Sequence, residues 1–187
     1  MTDKIKPVAK KLFFCLYILA LMFTAGCGYS RGSLLPADFK NIYVDNFKNG
    51  ISIDNEVTEA NRYSVYRPGL ENYITNEIVE RFVFDGNLKI SRKDDADLIL
   101  SGELVDYRLE PLRYDRNDNI EEYRIKIVVN ASLRDVSKDS VMWQETGYAG
   151  VGSYKTMGRL ATSEDAARDE ALEDLARRIV ERTIENW

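Results

Sequence analysis

The residue types that most protein catalysis requires are scarce in this chain. It has 187 residues, no histidine and two cysteines. Without histidine, the usual Ser-His-Asp and Cys-His machinery and every histidine-ligated metal site are excluded. Carboxylate pairs suited to acid–base chemistry do not stand out among the 31 acidic residues. The sequence therefore predicts no catalytic residue, no metal site and no cofactor, and we do not expect an enzyme.

Cys27 is the reactive side chain whose surroundings indicate a specific chemistry. Four lysines and an apolar run at residues 12–25 precede it. The run has 14 residues, whereas a spanning helix needs ~20, so it is typical of a signal peptide. Thr-Ala-Gly-Cys at residues 24–27 resembles the bacterial lipobox, whose cysteine thiol accepts a diacylglycerol. We predict a lipoprotein signal peptide at residues 1–26 and lipidation of Cys27.

Removal of this leader determines the charge and the anchoring of the mature chain. The leader contains four lysines and one aspartate, so residues 27–187 keep 22 basic and 30 acidic residues, a formal charge of -8. An acidic chain lacks the basic footprint of a nucleic-acid-binding protein. Several acyl chains on Cys27 would anchor it stably to a membrane. Gly28, rather than aspartate, follows the cysteine, which resembles the sorting signal for the outer membrane.

The mature chain is expected to consist of a tether, residues 27–38, and a single domain, residues 39–187. Apolar alternation predicts strands at 40–47, 87–92, 98–109, 123–134 and 141–154. In the third strand Leu104 and Tyr107 are expected on opposite faces, and Gly102 is expected to mark a bulge or a close contact. In the last strand Val141 and Trp143 are expected to point inward. Apolar residues at three- and four-residue steps predict two helices, one from Pro68 to Gly86 and a last one capped by Thr162. The predicted apolar stripes are Leu70, Tyr73, Ile74, Ile78 and Phe82 in the first helix, and Leu172, Leu175, Ala176, Ile179, Val180 and Thr183 in the last. This order predicts an α+β two-layer sandwich: a mostly antiparallel four- to five-stranded sheet with two helices on one face.

The strand at 123–134 predicts one covered and one open sheet face, because apolar and polar residues alternate along it. Guanidinium groups match phosphate oxygens with paired hydrogen bonds. The candidate binding residues are the basic side chains of the open face and of the preceding hairpin: Arg124, Lys126, Arg134, Arg108, Arg113 and Arg116. They indicate a phosphate-bearing amphiphile or an acidic partner. The alternative is an ordinary solvated face neutralised by nearby acidic residues.

Two other motifs fail on their spacing. Asp115 and Asn117 resemble the start of a calcium loop, but Ile120 and Lys126 stand where glycine and glutamate are required. This segment is expected to be a solvated hairpin tip. The glycine-rich stretch at residues 147–152 leads directly into no helix that could present amides to a phosphate, so we expect a twisted strand end there.

Short motifs spread along the mature chain carry a family resemblance. They are residues 27–32 (Cys-Gly-Tyr-Ser-Arg-Gly), 44–47 (Val-Asp-Asn-Phe), 68–71 (Pro-Gly-Leu-Glu), 96–102 (Ala-Asp-Leu-Ile-Leu-Ser-Gly) and 133–143 (from Leu-Arg-Asp to Val-Met-Trp). In order and spacing the chain resembles the LptE family, lipoproteins of the outer-membrane lipopolysaccharide translocon. The polar stretch at residues 48–66 departs from the family pattern.

The resemblance implies a non-catalytic protein that plugs the LptD β-barrel, assists its assembly, binds lipopolysaccharide and helps to insert it into the outer membrane. The chain would lie on the periplasmic side or within the barrel lumen. Other classes remain open. They are an outer-membrane lipoprotein activator of a periplasmic cell-wall synthase, a secretion-channel lipoprotein and an envelope hydrolase.

Overall fold

The predicted strands and helices are present in a computed structural model that describes residues 35–36, 38–51 and 68–185. The elements are β1 (Asn41–Val44), β2 (Lys48–Asn49), α1 (Leu70–Asp85), β3 (Lys89–Ile90), β4 (Leu98–Tyr114), β5 (Ile120–Asp135), β6 (Ser140–Lys155) and α2 (Glu164–Glu185), with a 3₁₀ turn at Lys93–Asp95. The predicted signal peptide, Cys27 and most of the tether lie outside the described residues.

The strands form one mixed sheet in the order β3-β1-β4-β5-β6, and β2 also pairs with β4. Two long hairpins, β4–β5 and β5–β6, are antiparallel. The short strands β1, β2 and β3 make parallel pairings, two of them with β4. The predicted fold class is confirmed, and the parallel pairs arise because the chain passes through α1 between β1 and β3.

Both helices cover the same face of this sheet. On β5 the buried side chains of that face are Ile125, Ile127, Val129, Ala131 and Leu133. The apolar stripe predicted for α2 is buried against them, and one continuous core contains residues of both helices and of all three long strands. Each fully buried Leu or Ile stabilises the fold by about 1.5–3 kcal/mol.

Gly150 and Gly152 let α2 lie directly on β6. A Cβ atom at Gly150 would collide with the carbonyl oxygen of Ala171, and one at Gly152 with the carbonyl oxygen of Ala167. Because these two glycines have no side chain, the backbone of α2 packs directly against the backbone of β6 at both positions. The sequence predicted only a twisted strand end, because the helix that needs this space is formed by residues further along the chain.

Three local predictions are wrong. Tyr73, expected on the apolar stripe of α1, is 63% exposed. Val141, expected to point inward, is 58% exposed, because the β5–β6 register shifts between Leu133 and Arg134. The cap of α2 is Ser163 rather than Thr162, since the Ser163 Oγ accepts the Ala166 N–H at 3.1 Å.

Thr75 of α1 makes two hydrogen bonds that the apolar periodicity of this helix does not predict. Its hydroxyl is buried, accepts the N–H of Phe47 at 3.0 Å and donates to the carbonyl of Glu71 at 2.9 Å. The Phe47 ring in turn lies where a Cβ atom on Gly102 would be, so the predicted close contact at this glycine is confirmed. Thr75 thus joins α1 to the segment that leads from β1 into β2.

Candidate functional site

The face of the sheet opposite the helices, here called the uncovered face, carries most of the predicted binding residues. No helix or strand in the described part of the chain lies over it. Alternation along β5 places Arg124, Lys126, Asn130, Ser132 and Arg134 on this face, as the sequence predicted. The same alternation places Val128 on this face, where it is 8% exposed. The other side chains are polar, so most of the face is compatible with water or with a polar partner.

A bulge in β4 places Arg108 on the uncovered face. Leu104 pairs with Val129, but Asp106 pairs with Val128, so Val105 is an extra residue in β4. The β4 side chains from Asp106 to Pro111 change sides as a result, until the next register shift between Pro111 and Arg113. Tyr107, expected on the opposite face from Leu104, becomes buried in the same core.

Arg108, Arg124 and Lys126 form a group here called the basic cluster. Arg108 is the register partner of Lys126, and Glu110 is the partner of Arg124. Like charges placed opposite each other destabilise a sheet, so the Arg108–Lys126 pair does not serve the stability of the fold. Arg108 pairs with Asp106. Among the described residues, neither Arg124 nor Lys126 has an ion-pair partner. Two cations are therefore available to a ligand.

The other three predicted residues are already paired or lie outside the basic cluster. Arg134 is ten positions along β5 from Arg124, or roughly 33 Å at ~3.3 Å per residue, and it pairs with Asp139. Arg113 pairs with Glu122 at 3.3 Å. Arg116 is exposed in the turn between β4 and β5. The structure therefore brings Arg108, Arg113, Arg124 and Lys126 close together, although Arg113 is already paired with Glu122. Arg116 lies in the turn, and Arg134 lies near the other end of β5.

The turn that resembled a calcium loop uses its acceptors internally. The Asp115 carboxylate accepts the N–H groups of Asn117 at 2.7 Å and Asn119 at 2.9 Å, and the side-chain amide of Asn119 at 3.1 Å. The hydrogen bonds from Asn119 and Asn117 hold the pKa of Asp115 below its usual value. In the described ranges, no three acidic or thiol side chains are arranged to hold a metal ion.

The outer edge of β6 is closed by carboxylates of α2. Asp174 accepts the N–H of Val151 at 3.2 Å, and Glu170 accepts the N–H of Ser153 at 3.1 Å. Arg178 also bonds Asp174, at 2.9 Å. Burial raises the pKa of Asp174, but the hydrogen bonds from Arg177 and Arg178 outweigh it and leave the pKa lowered. Sequence reasoning missed this contact, although the i,i+4 spacing of Glu170 and Asp174 indicates a shared helix face.

A polar hollow of about 370 Å³ opens on the uncovered face, on the opposite side of the β4 bulge from the basic cluster. Sequence reasoning missed it, because its lining comes from four separate segments. The lining residues are Asp45, Asn46, Lys48, Ser101, Gly102, Glu103, Asn130, Ala131, Ser132 and Gln144. The Ser101 and Ser132 hydroxyls, which are register partners, lie 3.1 Å apart in a hydrogen bond. The hollow forms because short side chains at its floor are surrounded by longer ones.

Cys27, the predicted lipidation site, lies outside the described residues, so no contact can be assigned to it. No helix in the described ranges combines the length and the apolar character needed to cross a membrane.

Several solved structures are similar to this chain at low sequence identity. A PelC variant from Paraburkholderia phytofirmans is 16% identical with a TM-score of 0.44, covering 83% of this chain and 95% of its own. A minor lipoprotein from Acinetobacter baumannii is 14% identical with a TM-score of 0.47, covering 78% and 92%. Rare lipoprotein B from Shewanella oneidensis is 14% identical with a TM-score of 0.39, covering 76% and 89%. Likenesses this weak say nothing about function.

No curated protein sequence matches the chain significantly. A family model does match, and its description is LptE, lipopolysaccharide-assembly. The match extends over residues 39–183, well over half of the chain and nearly all of the α+β domain. Members of this family are generally non-catalytic lipoproteins associated with lipopolysaccharide assembly at the outer membrane. The chain therefore belongs to the LptE lipopolysaccharide-assembly family.

Proposed function

We propose that this protein is a non-catalytic outer-membrane lipoprotein that occupies the lumen of an LptD-like β-barrel. It assists assembly of the barrel and helps to insert lipopolysaccharide into the outer membrane. The observation that carries the proposal is the family match over residues 39–183. Residues 1–26 would be removed on export, Cys27 would carry the acyl chains, residues 27–38 would be the tether and residues 39–187 the single domain.

The character of the uncovered face supports a barrel lumen as its surroundings. The interiors of outer-membrane barrels are polar, and this face presents charged and hydroxyl side chains. The three long strands have 16 or 17 residues each, which is roughly 50 Å at ~3.3 Å per residue. A polar surface of this length can follow the inner wall of a barrel over the full depth of a membrane.

The basic cluster supports lipopolysaccharide as the ligand. The phosphates of lipid A require cations, and guanidinium groups bind phosphate oxygens in pairs. Arg124 and Lys126 lie on adjacent rows of the uncovered face, without ion-pair partners among the described residues, in a protein whose overall charge is negative. We assign phosphate binding to these two residues, with Arg108 beside Lys126. We assign secondary roles to Arg113, Arg116 and Arg134, because Arg113 and Arg134 are already paired with Glu122 and Asp139 and Arg116 lies in the turn between β4 and β5.

The first test of this function is affinity purification of the lipidated protein from native membranes. We expect a large outer-membrane β-barrel at equal stoichiometry that survives detergent extraction. Recovery of a cell-wall synthase without a barrel would reject the proposal in favour of the activator alternative. Replacement of Cys27 by serine should release the protein from the membrane fraction, and the same replacement at Cys15 is the control within the predicted leader.

A second test addresses the basic cluster in the intact lipidated protein. The double variant Arg124→Glu/Lys126→Glu should bind purified lipopolysaccharide at least tenfold more weakly, because each charge-assisted hydrogen bond contributes about 1.5–3 kcal/mol. The matched control is Lys89→Glu/Lys93→Glu, which makes the same charge change at two exposed positions outside the cluster. Equal losses in both double variants would attribute the effect to net charge and reject the assignment.

A further inference from the structure

The polar hollow on the uncovered face is open to solvent and has a polar lining. At its floor lie the short side chains of Ser101 and Ser132, and Gly102 and Ala131 contribute backbone, because their Cβ positions face the core. Its volume of about 370 Å³ lies within the range of small-molecule sites, about 300–1,000 Å³. Most small-molecule sites are largely apolar, whereas this one is rimmed by carboxylates, amides and an ammonium group. An apolar ligand would therefore gain little there.

Several polar groups at the rim keep unused hydrogen-bonding capacity. Lys48 and Glu103 are register partners on β2 and β4, yet their side chains form no ion pair in the described structure. Gln144 makes no side-chain hydrogen bond to any residue within the described ranges. The Asn130 Oδ1 accepts the Gly147 N–H at 3.0 Å, which leaves its NH₂ group as a donor. These groups converge from β2, β4, β5 and β6.

The charges and hydrogen-bonding groups that line the hollow indicate the class of ligand that it binds. Two carboxylates, Asp45 and Glu103, outnumber the single cation Lys48, so a phosphate would be repelled. Carboxylates only accept hydrogen bonds, whereas the amides of Asn46, Asn130 and Gln144 both donate and accept. A ligand that satisfies both kinds of group must carry many hydroxyls, each of which is a donor and an acceptor.

We propose that this hollow binds an uncharged saccharide of one or two rings, with Glu103 accepting hydrogen bonds from its hydroxyl groups and Ser132 forming part of the floor. The inference rests on the uncovered face alone and does not require the barrel. Two sources offer the same chemistry: the saccharide part of a glycolipid and the glycan of the cell wall. Binding there would complement the basic cluster, which lies four to six residues away along β5 and attracts phosphate.

Amide chemical-shift mapping of the mature lipidated protein tests the proposal, in a detergent without sugar or phosphate groups. One probe is a delipidated, dephosphorylated lipopolysaccharide core oligosaccharide, and the other is N,N′-diacetylchitobiose. We expect saturable shifts at Gly102, Ala131 and Gln144 with at least one saccharide, and the saccharide that binds identifies the source. Inorganic phosphate should leave these three amides unmoved. No shift with either saccharide up to its solubility limit would overturn the proposal.

Two variants test the assigned roles. Glu103→Gln keeps the shape of the side chain and removes its charge, and it should weaken saccharide binding at least fivefold. Ser132→Leu fills the floor and should abolish binding. Ser153→Leu is the matched control, because Ser153 lies on the same face outside the hollow. An equal loss in Ser153→Leu, or no loss in Glu103→Gln, would overturn the proposal, whereas failure to recover a barrel would reject only the proposed function.

Discussion

The substitution Gly152→Ala tests whether the backbone of α2 packs directly against β6. The added methyl group would collide with the carbonyl oxygen of Ala167 and lie 2.9 Å from the nitrogen of Ala171 and 3.0 Å from the carbonyl carbon of Ala167. Ordinary contacts are 3.4–4 Å, so the helix backbone must move. Overpacking costs typically 1–3 kcal/mol, and we expect about 3 kcal/mol because a helix backbone yields less than a side chain.

This loss is measurable against the whole stability of a domain, about 5–15 kcal/mol. For a chain of this size it lowers the midpoint of thermal unfolding by about 6–12 °C. Urea unfolding followed by circular dichroism gives the free energy directly. Gly147→Ala is the control on the same strand: no atom lies within 4 Å of its Cβ position, but its φ is +71°, so backbone strain alone should cost about 1–2 kcal/mol.

The reasoning fails if Gly152→Ala loses no more stability than Gly147→Ala, because crowding by α2 would then be absent. A loss of stability in Gly152→Ala that clearly exceeds the loss in Gly147→Ala would show that α2 packs directly against the glycines of β6. The result also matters for the uncovered face, because α2 holds β6 in the sheet from behind.

Two further predictions concern other contacts. Gly102→Ala should destabilise the domain by about 1–3 kcal/mol, because the added methyl group would collide with the ring of Phe47. In a double-mutant cycle, Phe47→Leu should recover at least about 1 kcal/mol of that loss. Strictly additive effects of the two substitutions would contradict the contact. The pKa of Asp174 is lowered in the folded state, so the unfolded state binds more protons near pH 4. The free energy of unfolding should therefore fall as the pH drops from about 5 through the native pKa of Asp174. Asp174→Asn should be less stable at pH 7 and show a flatter dependence between about pH 5 and 2 in urea titrations; an unchanged slope would contradict the assignment.

The candidate site illustrates what alternation can and cannot predict. β5 alternates without interruption through the residues that carry the prediction, so the faces of Arg124, Lys126 and Arg134 follow from the sequence. Arg108 is different, because only the extra residue in β4 turns it toward Lys126. Bulges depend on the pairing of two strands, and single-strand periodicity contains no signal for them.

The sequence by itself determined the fold class, the helix stripes, the covered and uncovered faces of β5 and the absence of histidine chemistry, because these follow from local periodicity and composition. The tertiary structure decided which charges meet. The β4 bulge placed Arg108 beside Lys126, the packing of α2 brought Asp174 to the edge of β6, and four separate segments together formed the polar hollow. These features depend on contacts between residues distant in sequence, and such contacts are fixed only when the sheet and helices pack.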